Sequence, residues 1–242
     1  MLDRDSHTYV FKPEDDTRER RANLVVVGTI AQHFSDLRPL GSYAYRYNDL
    51  LWSKWSFQLM KPNVSVYLEA YDDALDALRL LQQKVSQTGN NRCLLIDTDL
   101  GLGPRILFER DLFVDKHTDG IKLKESLPWP VPYRSAKCFV AASERKVFAP
   151  LLAYYSDGTA IAPNDLDRKL RGSLVEVHFT LHHRALPSFD CDHFHACISK
   201  IVVLQEGQET PRPLRWNEEY RGDDETGDDF PEDVWFPTQV PI

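Results

Sequence analysis

Hydrophobic and polar positions alternate most regularly just before residue 182. Val175, Val177, Phe179 and Leu181 fall on one face, and Glu176, His178, Thr180 and His182 fall on the other. A period of two is the mark of a half-buried strand, because successive side chains of an extended chain point to opposite sides. Residues 185–190 break the pattern. Phe194, Ala196 and Ile198 resume it, and Ile201 and Val203 continue one residue out of phase. The slip predicts a β-bulge near Ser199 and Lys200, inside the second arm of a long antiparallel hairpin.

Upstream, residues 24–34 (LVVVGTIAQHF) read as a strand rich in β-branched residues, with Gly28 marking a bend or bulge in its interior. Tyr43, Tyr45 and Tyr47 share one face of an extended segment, with Arg46 opposite, and Trp52 and Trp55 follow. Residues 56–60 predict another strand, and Pro62-Asn63 a turn. Asp72 or Asp73 can cap a helix whose apolar stripe is Ala74, Leu78, Leu81 and Val85 and which ends before Gly89. Residues 94–96 form a short apolar run that delivers Asp97-Thr98-Asp99. Strands are expected at 106–108, 112–114, 137–141 and 147–155, a proline-rich loop at 115–136, a hairpin turn at Asp157-Gly158, and one or two helical turns at 165–170. No internal repeat is visible.

Composition narrows the class. The 242 residues, 42% hydrophobic and 11% aromatic, suffice for one well-filled core. No apolar run approaches the roughly 18 residues that span a bilayer, and the charged first residues do not read as a secretory signal. Cys93, Cys138, Cys191 and Cys197 are therefore expected as reduced thiols of an intracellular protein, in nucleus or cytoplasm, with no membrane partner. The net charge of −8 is concentrated: residues 218–233 hold nine acids and one base, and removing them from the 37 acids and 29 bases leaves 28 of each. The body is neutral, and an acidic pI does not exclude a polyanionic ligand. Like charges in a block repel, so the tail is expected to be flexible.

Three kinds of chemistry are open. Single-stranded nucleic acid is held by aromatic rings that stack on bases and cations that meet phosphates. Tyr43, Tyr45, Arg46, Tyr47, Trp52, Lys54 and Trp55 interleave the two, and Lys169, Arg171, Arg184 and Lys200 flank the hairpin. The tyrosines equally suit the half-buried face of a sheet. Cys191, His193, His195 and Cys197 recur at every second position, but i and i+2 on a strand are about 6–7 Å apart, so one strand cannot encircle a zinc ion. With His182 expected opposite His193, a set drawn from both arms would be His178, His195 and Cys197; otherwise this is a histidine-rich polar face. Asp97 and Asp99, with Asp115, match the carboxylate pair of Mg²⁺-dependent transferases and nucleases, or simply cap a turn. There is no Walker lysine, no dinucleotide-binding glycine spacing and no nucleophile elbow.

The tail adds a resemblance. Residues 228–236 (DDFPEDVWF) put aromatics in an acidic segment, and Arg171-Gly172 leads into the alternating strand. Over residues 137–236 this resembles single-stranded DNA-binding proteins that carry an OB-fold and an acidic C-terminal tail; here residues 237–242 follow the aromatic tip. The resemblance implies a mainly β (α+β) fold: an OB-like closed or partly open antiparallel barrel with one substantial helix and long insertions. It would span residues 24–216, between a flexible arm at 1–23 and a flexible acidic tail at 217–242. It also implies non-enzymatic binding of single-stranded DNA or RNA without a cofactor, with the tail modulating that binding or docking protein partners. A protein–protein interaction module is the principal alternative, and a Mg²⁺-dependent enzyme using Asp97 and Asp99 the second. Oligomeric state is not legible.

Overall fold

The computed structural model describes residues 7–8, 10–11, 20–21, 23–33, 35–44, 49–87, 91–92, 94–96, 103–115, 129–186 and 191–208. Five strands carry the architecture: β1 (Leu24–Ile30), β2 (Lys54–Met60), β3 (Arg105–Asp111), β4 (Leu174–Leu186) and β5 (Cys191–Gln205). Hydrogen bonding closes them into a ring in the order β1-β2-β3-β5-β4 and back to β1. Every pairing is antiparallel except β3 with β5, where Phe108 and Glu109 run parallel to Ala196 and Cys197.

The ring closes because each strand has one oily side. Trp55, Phe57 and Leu59 of β2, Ile106 and Phe108 of β3, Val175, Val177, Phe179 and Leu181 of β4, and Phe194, Ala196 and Ile198 of β5 all turn inward and are almost fully buried. Burying each large side chain stabilises the fold by about 1.5–3 kcal/mol before conformational entropy is counted. Phe57 stacks on Phe108 with ring centroids 5.4 Å apart, and Phe108 meets Phe179 edge-on at 5.0 Å.

The hairpin of β4 and β5 runs as its alternation predicts, and the bulge falls where the phase slips. His178 pairs with Lys200 and Phe179 with Ile198, so Ser199 is the extra residue. The Ile198 carbonyl there accepts a 2.5 Å hydrogen bond from Arg110, whose Nε donates to the Ala149 carbonyl at 3.1 Å. Burial pushes the pKa of this guanidinium down. Both outer edges of the hairpin are covered. β5 is paired in succession by Asn91–Arg92, β3 and Ala153–Tyr155, and β4 by β1 and by the backbone of His7–Thr8. Edges covered in this way are not open to chance pairing with another chain.

Gly28 is not the site of a bulge in β1. Its ladder with β4 is regular, and a Cβ there would lie 2.6 Å from Leu59 Cγ and 2.8 Å from the Met60 carbonyl, so glycine permits a close approach of β2. Helix α1 (Leu68–Val85) starts earlier than its charged cap candidates suggest, because a 3-10 turn at Ser65–Tyr67 leads into it. It buries Tyr71, Leu75, Leu78 and Gln82 and packs against β1. Tyr71 donates to the Leu59 carbonyl at 2.8 Å, and burial raises its pKa above the usual phenol value. Residues 137–141, expected as a strand, belong to helix α2 (Ala136–Arg145), whose buried residues Phe139 and Ala142 are three apart. Helix α3 (Leu166–Leu170) supplies the turns that feed β4. Among the described residues Cys138, Cys191 and Cys197 are free thiols, and no helix is long and apolar enough to cross a membrane.

Candidate nucleic-acid interface

What the ring turns outward follows from what it turns inward. On β2 the outward positions are Lys54, Ser56 and Gln58; on β3 they are Leu107, Glu109 and Asp111. β5 presents His193, His195 and Cys197, and β4 presents His178, Thr180, His182 and Arg184. Register sets them in rows: Ser56, Glu109, Cys197 and Thr180 form one, and Lys54 lies opposite Asp111.

The sequence-based pairing of His182 with His193 is two residues out. His182 faces His195, Thr180 faces Cys197, and His178 faces Lys200. The proposed metal set of His178, His195 and Cys197 therefore does not converge, and no group of three His, Cys, Asp or Glu side chains among the described residues is placed to hold a metal ion. His178 Nε2 instead lies 2.6 Å from Glu176 Oε1, and His182 Nε2 lies 3.0 Å from Thr180 Oγ1. The misplacement has a physical cause: the pairing of Leu186 with Cys191 sets the register, which spacing alone cannot count, and the Ser199 bulge moves the partner of His178 one residue further, to Lys200.

Glu109 is the electrostatic centre of this face. Its Oε2 lies 3.4 Å from Lys54 Nζ and 3.5 Å from His195 Nε2, and Lys54 also approaches Asp111 Oδ1 at 3.8 Å. Burial lowers His195 to a pKa of about 4, despite Glu109 pulling the other way, and burial also lowers His193. At neutral pH His193 and His195 on this face are neutral, Lys54 is held by two carboxylates, and Arg184 is exposed. Arg184 and Lys200 lie on the same side of the hairpin, but Lys200 is level with His178, six residues or about 20 Å along the strand. Lys200 Nζ sits 6.0 Å from the ring of Tyr154.

The aromatic candidates separate sharply. Trp55 is 0% exposed; its Nε1 donates to the Arg38 carbonyl at 3.0 Å, and its ring packs edge-on against Trp129 and Phe148. Trp55 cannot stack on a base there: it fills the core. Tyr43, 9% exposed, belongs to the same core. Tyr45, Arg46 and Tyr47 lie outside the described residues, as do Asp97, Asp99 and the whole acidic tail. Trp52 is 75% exposed. It ends a 3-10 turn, Leu50–Trp52, that begins where Asp49 Oδ1 accepts from the Leu51 N–H at 2.9 Å. Leu50 and Leu51 are buried, and the third residue is the one left facing out.

Lys146, at the end of α2, holds its ammonium 5.1 Å from the centroid of the Trp52 ring, a cation–π contact. The same Nζ lies 3.5 Å from Asp115 Oδ1. Lys146 is absent from the sequence-derived candidates, falling between the strands expected at 137–141 and 147–155; the three-residue spacing of Phe139 and Ala142 was the available signal for a helix ending beside it. Arg171 is the opposite case. It is 9% exposed, and its donors reach Asp167 Oδ1 at 2.9 Å and the carbonyls of Gln32 and Ser35 at 2.8 and 3.3 Å. It ties α3 to the segment after β1, and its donors are engaged within the fold. Lys169 is paired with Glu206 at 2.8 Å.

No protein-family model matches the sequence, and no curated protein matches it. Three solved structures to which the chain is similar are those of phage proteins. One is gp2.5, a single-stranded DNA-binding protein encoded by bacteriophage T7, at 10% identity, 81% of this chain, 98% of that chain and a TM-score of 0.48. The single-stranded DNA-binding protein from bacteriophage Enc34 matches at 9% identity, 88% of this chain, 99% of that chain and a TM-score of 0.49. The Enc34 protein in complex with single-stranded DNA matches at 10% identity, 78% of this chain, 89% of that chain and a TM-score of 0.46.

Proposed function

We propose that this chain binds single-stranded DNA non-enzymatically, on an OB-like ring, with Trp52 as a stacking platform. The observation that carries the reading is the 75% exposure of Trp52 beneath the Lys146 ammonium, two residues before Lys54 in the chain. An exposed ring with a cation beside it has the pairing by which single strands are held, stacking on bases and charge on phosphates. The strand order supports the OB-like reading. A five-stranded Greek-key ring of this kind takes oligonucleotides on its second and third strands and on the loops between strands one and two and between four and five. Trp52 ends the first of those loops, Lys54 and Glu109 lie on those strands, and Arg184 stands near the second loop. The acidic tail competes for this surface, and docks partner proteins, in the same proposal.

The test is a fluorescence titration with oligo-dT, repeated from about 50 to about 200 mM salt. Binding is expected to weaken steeply as salt rises. Trp52→Ala should cost about 1–3 kcal/mol of affinity, and deletion of residues 218–242 should tighten binding. Salt-independent binding, or a Trp52→Ala variant indistinguishable from the parent, overturns this reading.

A further inference from the structure

Lys146 has two neighbours of opposite kind. Its Nζ is 5.1 Å from the Trp52 ring centroid and 3.5 Å from Asp115 Oδ1. Asp115 is 75% exposed, whereas the Lys146 side chain is only 23% exposed. The cation is thus fixed by the fold beside the ring, and the carboxylate reaches in from solvent. A carboxylate at that distance from an ammonium occupies a position that a phosphate oxygen can take.

We propose that Trp52 and Lys146 form a single nucleotide subsite, with the base on the indole and the phosphate on the ammonium, and that Asp115 is its built-in phosphate surrogate. The inference rests on the function proposed above. In the free protein Asp115 neutralises Lys146. On binding, the strand's phosphate displaces the exposed carboxylate, and Lys146 keeps its place over the ring. Lys54 has a parallel arrangement with Glu109 and Asp111, and Lys200 lies 6.0 Å from the ring of Tyr154, but the Lys146 site is the one that sets its cation against a ring 75% exposed among the described residues.

The test is a double-mutant cycle on oligo-dT of about 12 nucleotides. Asp115→Asn should tighten binding by up to about fivefold, since an exposed ion pair is weak. Lys146→Met should weaken binding and reduce the salt slope by about 0.7, the share of one phosphate contact on a single strand, and Lys146→Arg should retain most of it. In the Lys146→Met background, Asp115→Asn should change nothing. Equal tightening in both backgrounds would mean that Asp115 repels the strand at large and would overturn the subsite. If the parent binds oligo-dT through Trp52 and yet ignores both substitutions, the subsite alone falls; if the parent does not bind oligo-dT, the proposed function falls and the subsite with it. Melting temperatures of the four proteins should agree, which separates binding from folding.

Discussion

His183 Nε2 lies 2.5 Å from Asp192 Oδ1 across the hairpin, and neither side chain is reached by solvent. The second oxygen of Asp192 accepts from the Gln87 backbone N–H at 3.0 Å, just past the end of α1, and the His183 ring lies 4.7 Å from that of Phe194. One buried carboxylate therefore joins the far end of the hairpin to the helix that packs on β1.

Removing that carboxylate strands its partners in a medium that cannot solvate them. Asp192→Ala should lower unfolding free energy by about 3–5 kcal/mol, and Asp192→Asn, which keeps an acceptor, by less. Urea denaturation measures both, and a loss near zero for Asp192→Ala would deny the pair any structural role.

His195 gives stability a pH dependence with a defined sign. Its pKa is about 4 in the fold against an ordinary 6.5, because burial disfavours the charged ring. As pH falls the unfolded chain takes up the proton first, so stability is complete above about 6.5 and is lost towards about 4. The shift corresponds to about 3 kcal/mol. His193, lowered for the same reason, acts in the same direction. Urea midpoints measured between these pH values should fall, and His195→Gln should flatten the slope.

Trp52 and Trp55 are three residues apart and should behave as opposites. Trp55→Ala opens a cavity beside the Trp129 and Phe148 rings and should cost about 3–5 kcal/mol. Trp52→Ala forfeits a cation–π contact of about 1 kcal/mol at most, while carrying the affinity loss given above. Thermal melts of the two variants decide it.

Gly41 and Gly158 both have positive φ, 55° and 88°. A Cβ on Gly158 meets nothing within 4 Å, and Gly158→Ala should cost only the left-handed penalty of about 1 kcal/mol. On Gly41 it would lie 2.3 Å from the Lys54 carbonyl, the acceptor of the Ser42 N–H. Gly41→Ala should cost about 1–3 kcal/mol more, read from chemical denaturation of both.

Legibility followed the range of the interaction. The hairpin and its Ser199 bulge were readable because alternation is local and a slip of one residue changes which face is oily. The inward position of Trp55 was missed: it is in phase with Phe57 and Leu59, but the expected strand begins at residue 56 and a tryptophan beside lysines reads as a stacking ring. α2 was not readable either, because Val140, Phe139 and Cys138 favour a strand locally while the packing of Phe139 and Ala142 decides the outcome. The Lys146–Trp52 contact joins residues 94 positions apart, and the His182–His195 register depends on a loop, so neither had a local signature.

The placement of β5 between β3 and β4 has a consequence for how the molecule is made. When synthesis has passed Leu186, four ring strands exist, yet β3 lacks the neighbour that completes its second edge. Only when Cys191–Gln205 has left the ribosome can β3 and β4 be bridged, so closure is a late event that links residues far apart in the chain, and such topologies fold slowly. Until then the newborn chain carries the oily sides of Phe57, Phe108 and Phe179 without their final cover.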